Sequence, residues 1–106
     1  MSTRNLIAAA HELPCWRSAI VARIGSANVK IERLNAEGQP PETHDDFDEA
    51  LIVLQGNLEL ECGGTHVSIR TNDLFVVPMK TPHRVLPGSD GVVLIVNLLP
   101  STISLI

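Results

Sequence analysis

Short runs of strand-forming residues, each ended by a turn residue, make up most of this chain. From Trp16 onward these runs follow one another at short intervals, and Gly, Pro, Asn or Asp residues separate them. Residues 29–34 and 58–62 alternate apolar and charged side chains with a period of two, which is typical of half-buried strands. About eight such strands predict an all-β fold, an antiparallel sandwich or barrel.

The turn residues place the individual elements along the chain. Residues 4–12 are rich in Ala and predict a short N-terminal helix or turn. The predicted strands cover residues 18–24, 29–34, 50–54, 58–62, 65–70, 74–77, 83–86 and 92–98. Gln55-Gly56-Asn57 ends the third strand and Gly63-Gly64 ends the fourth, a layout that predicts a hairpin. We expect a single domain over residues 1–106.

The composition argues against nucleic acid and membrane as partners. The net charge is −4, the eight Lys and Arg residues form no basic run, and aromatic residues that could stack on bases are few. The longest apolar stretch, residues 92–99, contains Asn97 and is too short to cross a bilayer. The apolar run at residues 6–10 is too short for a signal peptide, so we expect a cytoplasmic protein.

An acidic stretch before the third strand is the first local feature that points to a function. Glu42 and His44 are two residues apart, so on a strand both side chains point to the same face. Glu49 lies an odd number of residues beyond His44 and joins that face only if the segment between them loops or bulges. Three further acids of the stretch are expected to be solvated: Asp45, Asp46 and Asp48.

A second imidazole for the same site comes from His83, at the start of a later strand. Two imidazoles with one or two carboxylates suit a divalent transition metal such as Fe, Mn, Zn or Ni. Ligands on the inner face of a barrel leave coordination positions open toward its mouth, as a catalytic metal requires. We therefore predict one metal ion held by His44, Glu49 and His83, with Glu42 as a further ligand.

Each predicted ligand also has a simpler interpretation. His44 taken alone is a solvated loop histidine, and Glu49 is the last charge of an acidic loop. Glu42 can be an exposed acid that touches no metal.

Four other side chains near the predicted site or on the strands have no assigned role. Lys80 and Arg84 flank His83, and they either meet an anionic ligand at the barrel mouth or are surface charges. His11 and His66 are expected on the surface, and the sequence suggests no partner for His66.

The candidate ligands are spaced as in two motifs of the cupin superfamily, and the chain resembles its small single-domain members. The first motif is His-x-His, three or four residues, Glu, six residues and Gly; His44, Glu49 and Gly56 match it. The second motif is Gly, five residues and Pro-x-Gly-x-x-His, and Pro78 and His83 match it. Two motifs in the right order make the resemblance fairly specific.

The resemblance covers residues 29–98 and implies an antiparallel double-stranded β-helix, the jelly-roll barrel of cupins, with a metal inside. Four positions depart from the family pattern. Glu42 stands in place of the first His, Asn72 and Lys80 stand in place of glycines, and Pro87 stands in place of an Asn. A non-glycine residue in a left-handed turn costs about 1–2 kcal/mol, so we expect the loop after Pro78 to take another shape.

The resemblance implies a metalloenzyme that acts on a small molecule inside the barrel. The chemistry would be dioxygenase-like or isomerase-like, with the metal as a Lewis acid or O2-binding centre. The alternative is a non-catalytic cupin that binds or senses a small molecule. A third interpretation is a barrel without metal that serves as an interaction domain.

The apolar C-terminal tail predicts a homodimer. Ile103, Leu105 and Ile106 provide apolar surface at the end of the chain, and the N-terminal segment with Cys15 and Trp16 adds to it. Covering an apolar edge with a symmetric copy is a common arrangement. The expected partners are therefore a second copy of this chain and a small-molecule ligand.

Overall fold

Antiparallel strands make up most of the chain, as the repeated apolar runs predict. The computed structural model describes residues 2–41, 43 and 47–98. These residues form one helix and seven strands: α1 (Leu6–His11), β1 (Ala19–Ile24), β2 (Ala27–Leu34), β3 (Glu49–Cys62), β4 (Thr65–Arg70), β5 (Leu74–Val77), β6 (His83–Val85) and β7 (Asp90–Leu98). The predicted all-β jelly-roll fold with a short N-terminal helix is confirmed.

Strand β3 connects the parts of the sheet, because every later strand pairs with it. The main strand order is β1-β2-β7-β3-β4, and β5 and β6 also pair with β3. Residues 49–52 of β3 pair with β7 and β5, whereas residues 60–62 pair with β4 and β6. The register with β7 shifts between Val53 and Gln55, which marks a β-bulge that increases the local twist.

The predicted strand end at Gln55-Gly56-Asn57 is wrong, and so is a hairpin of residues 50–54 with 58–62, because β3 continues through these residues as one strand. Gly56 has φ +86 and pairs with Gly91 of β7. A Cβ on Gly56 would overlap the Asp90 carbonyl oxygen, so the glycine permits a close approach of two strands and not a turn. The turn at Gly63-Gly64 is confirmed, since Cys62 pairs with Thr65 across it.

The loops at Asn72 and Lys80 keep the left-handed backbone that glycine would adopt. Asn72 has φ +72 and Lys80 has φ +62. The sequence predicts another shape for the loop after Pro78, because Lys80 replaces a glycine there. That prediction is wrong at Lys80, whose backbone is left-handed. The chain tolerates the local cost of about 1–2 kcal/mol per residue at these positions.

The core has two parts, one inside the barrel and one under the helix. The inner part consists of buried aliphatic side chains: Leu34, Leu51, Val53, Leu58, Leu60, Ile69, Val77, Val93 and Ile95. The smaller part joins Ala10 of α1 to Ile31 and Val92 on the outer face of the sheet. The Asn5 side chain accepts a hydrogen bond of 2.9 Å from Ala8 N–H and caps this helix.

The close approach at Gly56 gives a testable consequence for stability. Gly56→Ala should lower the free energy of unfolding by roughly 1–3 kcal/mol more than Gly64→Ala, because only the first substitution forces backbone atoms apart. The φ values of the two glycines, +86 and +82, are nearly equal, and a Cβ on Gly64 meets nothing within 4 Å. Urea denaturation of both variants measures the difference, and equal losses would contradict the close approach.

Candidate functional site

His83 is held inside the barrel by its own backbone turn. The residue opens β6 directly after Pro82, and only 4% of its surface is exposed. The Nδ1 atom lies 3.0 Å from the Thr81 carbonyl oxygen. A carbonyl oxygen only accepts hydrogen bonds, so Nδ1 carries a proton and Nε2 is the ring nitrogen that faces Glu49. This is the arrangement that metal-ligating histidines commonly have.

Glu49 reaches the same interior from the first position of β3. The side chain is buried, and the residue pairs with Asn97 of β7 on one side and Val77 of β5 on the other. Its Oε1 atom lies 3.9 Å from His83 Nε2, which is beyond hydrogen-bond distance. Two ligands of one ion at a right angle, each about 2.1 Å from it, are about 3 Å apart. The pair fits a shared ion after a movement of less than about 1 Å.

The structure brings two of the four predicted metal ligands together. Glu49 and His83 face each other in the barrel, whereas Glu42 and His44 lie outside the described residues. Within residues 2–41, 43 and 47–98, no three His, Cys, Asp or Glu side chains come together to hold an ion. The described part of the site is therefore one imidazole and one carboxylate.

A cavity of about 140 Å³ lies beside this pair. Its apolar wall is formed by core residues: Leu34, Leu51, Leu58, Leu60, Val85, Val93 and Ile95. Its polar wall contains four residues besides the candidate ligands: Ser18, Lys30, Glu32 and Gln39. The cavity thus combines a largely aliphatic surface with a few polar groups, as small-molecule sites commonly do.

Sequence patterns alone do not show that β2 contributes polar side chains to the cavity. The alternation in residues 29–34 indicates two different faces but not which face the barrel encloses. Ile31 packs outward under α1, and so Lys30 and Glu32 point to the cavity side. The period-two alternation separates the two faces of β2. The position of α1 over the apolar face determines that the charged face points inward.

The two cations that flank His83 do not line this cavity. Arg84 pairs with Glu61 through its Nε atom at 3.4 Å, and both side chains are more than 40% exposed. Lys80 lies on an exposed loop. These positions agree with the interpretation of Lys80 and Arg84 as surface charges, and not as contacts of an anionic ligand at the barrel mouth.

A second polar cluster, on the surface of β3 and β4, surrounds Glu59. Its carboxylate accepts hydrogen bonds from Asn57 at 3.1 Å and Ser68 at 2.8 Å, and it contacts His66 Nε2 at 3.1 Å. The Asn57 and Ser68 hydrogen bonds, followed by the interaction with His66, lower the pKa of Glu59 below its ordinary value of 4.5. His66 is thus on the surface as predicted. The register of β3 with β4 places it beside Glu59, which is its partner.

The lowered pKa of Glu59 predicts a loss of stability at acid pH. The stabilising effect of the carboxylate is fully present above pH 4.5 and is lost as the pH falls through the lower folded-state pKa. Above pH 4.5, Glu59→Gln should unfold with about 0.5–1 kcal/mol less free energy than the parent. Chemical denaturation at about pH 7 and about pH 3.5 tests this. A difference that stays constant or grows toward acid would contradict the assignment.

The chain belongs to the Cupin_2 family of cupin domains, whose sequence pattern matches residues 31–98. Protein NMB1881 from Neisseria meningitidis has the same fold at 21% identity, with a TM-score of 0.79 over 92% of this chain and 100% of that one. KdgF from Halomonas sp. is 24% identical, with a TM-score of 0.69 over 83% and 87% of the two chains. A predicted oxalate decarboxylase from Thermotoga maritima is 17% identical, with a TM-score of 0.67 over 77% and 78%.

No curated protein matches this chain. In the part of the chain that the structure describes, no helix is long and apolar enough to cross a membrane. At identities below 25%, the solved structures establish the fold of this chain and leave its reaction to the site itself.

Proposed function

We propose that this protein is a metal-dependent cupin that binds a small molecule at a single divalent ion inside its barrel. His44, Glu49 and His83 would hold the ion, and Glu42 would be a further ligand. The observation that carries the proposal is the buried pair of Glu49 and His83, 3.9 Å apart on the cavity wall. Two imidazoles with one or two carboxylates form a donor set that suits Fe, Mn, Zn or Ni.

The residues around the pair would prepare it for a metal and a substrate. The Thr81 carbonyl holds the His83 ring so that Nε2 lies beside Glu49. The Glu49 carboxylate supplies a negative charge, and the aliphatic wall keeps water away, which strengthens electrostatic interactions in the cavity. When bound, the ion would supply Lewis acidity or redox chemistry toward the small molecule.

A metalloenzyme with dioxygenase-like or isomerase-like chemistry is the first version of this function. The alternative is a non-catalytic cupin that binds or senses a small molecule, and the replacement of the family's first His by Glu42 favours it. Turnover by the metal-loaded protein across a panel of small polar substrates supports the enzyme, and binding without turnover supports the sensor. A single domain over residues 1–106 and a cytoplasmic location remain predictions.

Metal titration of ligand variants tests the proposal. His44→Ala and His83→Ala should each abolish stoichiometric binding, a larger loss than the roughly 10–100-fold that removal of an outer hydrogen-bond partner causes. Glu42→Gln should weaken binding by a smaller factor. Glu42→His should preserve binding and change the preferred metal, because an imidazole is a softer ligand than a carboxylate. Calorimetric titration of the metal-stripped variants with Mn(II) and Zn(II) measures each effect.

The other two histidines provide matched controls for this experiment. His11 and His66 are exposed and contact Gln55 and Glu59 outside the cavity. His11→Ala and His66→Ala should therefore bind metal like the parent. Parent-like binding by His44→Ala and His83→Ala would show that the proposed metal site is wrong, and parent-like binding by Glu42→Gln would make Glu42 a surface acid.

We also propose that the protein is a homodimer that buries an outer apolar patch formed by Leu74, Val76, Met79 and Leu98. These side chains are 62%, 47%, 45% and 55% exposed. Val76 pairs with Ala50 of β3, and Ala50 pairs on its other side with Val96 of β7, so the apolar surface extends across three strands. A patch of this composition is complementary to itself across a two-fold axis, so a second copy is the occupant that it fits. The apolar C-terminal tail with Ile103, Leu105 and Ile106 lies outside the described residues.

A charge placed in the outer patch should separate the two copies. Val76→Glu is expected to sediment as a monomer at micromolar concentration, because the two-fold axis brings an unpaired carboxylate from each copy into the apolar interface. Ile20→Glu is the control, since Ile20 is 46% exposed but lies on β1, away from the patch. A monomeric parent, or a dimeric Val76→Glu variant, would contradict this arrangement.

A further inference from the structure

We infer that Lys30 makes the barrel cavity a site for a small carboxylate ligand. The ligand would place one oxygen-bearing group at the ion between Glu49 and His83 and a second, anionic group at the Lys30 amine. This inference rests on the proposed metal-binding function and adds the chemical class of the small molecule. It concerns a residue outside both sequence motifs.

The position of Lys30 in β2 directs it into the cavity. Its neighbours across the sheet are Ile20 of β1 and Ile95 of β7, and Ile95 also lines the cavity. Ile95 in turn pairs with Leu51, two residues after Glu49 on β3. Side chains two residues apart on a strand share a face, so Lys30 lies near Glu49 on one continuous inner surface.

The ammonium group of Lys30 pairs with no carboxylate among the described residues. The ion pairs in this part of the chain join His66 to Glu59, His83 to Glu49 and Arg84 to Glu61. A half-buried lysine without such a pair keeps its charge available to a bound anion. The second lysine of the chain, Lys80, lies outside the cavity and offers a direct comparison.

A bound divalent ion would remove the net negative charge that repels an anion from the cavity. Among the described residues, the charged side chains of the lining are the Lys30 cation and the Glu32 and Glu49 carboxylates, a net charge of −1. With the Glu42 carboxylate as a further ligand, a divalent ion brings the site to neutrality and places a second positive centre opposite Lys30. Opposite charges attract strongly in a space with aliphatic walls, where water screens them less. Metal and anion should therefore bind cooperatively.

The size of the cavity limits the ligand to a small acid. Its volume of about 140 Å³ is well below the roughly 300–1,000 Å³ of sites for drug-sized ligands. Ser18 and Gln39 add neutral hydrogen-bonding groups to the lining. The class of ligand that this chemistry recognises is a short dicarboxylate, or a short acid with a hydroxyl or carbonyl oxygen for the ion.

Titration with matched acids tests the role of Lys30 directly. The probes are malonate and malonamate, its monoamide, which has nearly the same size and one negative charge less. With Mn(II)-loaded protein, Lys30→Gln should weaken malonate binding at least about tenfold and change malonamate binding by less than about twofold. Lys80→Gln removes the same charge from the exposed loop and should bind both acids like the parent.

Linkage between metal and acid gives a second measurement. Binding free energies are reciprocal, so malonate should tighten Mn(II) binding by the same factor by which Mn(II) tightens malonate binding. Lys30→Gln should lose most of this coupling and retain Mn(II) binding without malonate within about twofold. Amine labelling read by mass spectrometry should show that malonate protects Lys30 and leaves Lys80 reactive.

The outcomes separate this inference from the proposed function on which it rests. If Mn(II) binds but malonate does not, or if Lys30→Gln and Lys80→Gln bind malonate equally well, the inference about Lys30 is wrong and the metal site stands. If Mn(II) does not bind at all, the proposed metal site is wrong. In that case, malonate titration of the metal-free protein tests the anion site alone. Malonate binding that Lys30→Gln weakens supports an anion site at Lys30, and the absence of such binding overturns the inference.

Discussion

The close approach of β3 and β7 at Gly56 and Gly91 is the constraint on which the site depends. The 14 residues of β3 begin at Glu49 and end at Cys62, whose partner is His83. A straight strand would separate its two ends by about 43 Å, yet Glu49 and His83 lie 3.9 Å apart. The strand therefore curves around the barrel, and a bulge and a glycine with φ +86 mark where it does so. Backbone curvature thus brings the two candidate ligands together.

Strand β2 determines what the barrel encloses besides these ligands. Helix α1 covers Ile31 on the outer face, which leaves Lys30 and Glu32 for the interior. Further along the same face, Asn28 donates a long hydrogen bond of 3.4 Å to Asn97, which pairs with Glu49. Polar side chains at this depth are costly unless they bind one another or a ligand. The inner face of β2 therefore carries polar side chains beside the core residue Leu34, and these are the groups that the proposed ligand would meet.

The sequence predicts the strands, the short helix and the residue types of the site because these depend on local patterns. Period-two alternation and turn residues locate seven strands, and motif spacing selects Glu49 and His83. Other features depend on which strands become neighbours. Gly56 looks like a turn residue until β7 lies against it, and Glu59 gains its partners Ser68 and His66 only through the register of β3 with β4. Likewise, the inward position of Lys30 depends on the covering helix.

The protonation and coordination of His83 test the account most directly. Long-range proton–nitrogen correlation spectra of the 15N-labelled protein report the state of both ring nitrogens of each histidine. We expect that His83 carries a proton on Nδ1, and that one equivalent of Zn(II) shifts the resonance of His83 Nε2 together with one ring nitrogen of His44. The resonances of His11 and His66 should stay in place. A His83 ring protonated on Nε2, or unchanged after Zn(II) is bound, would contradict the account.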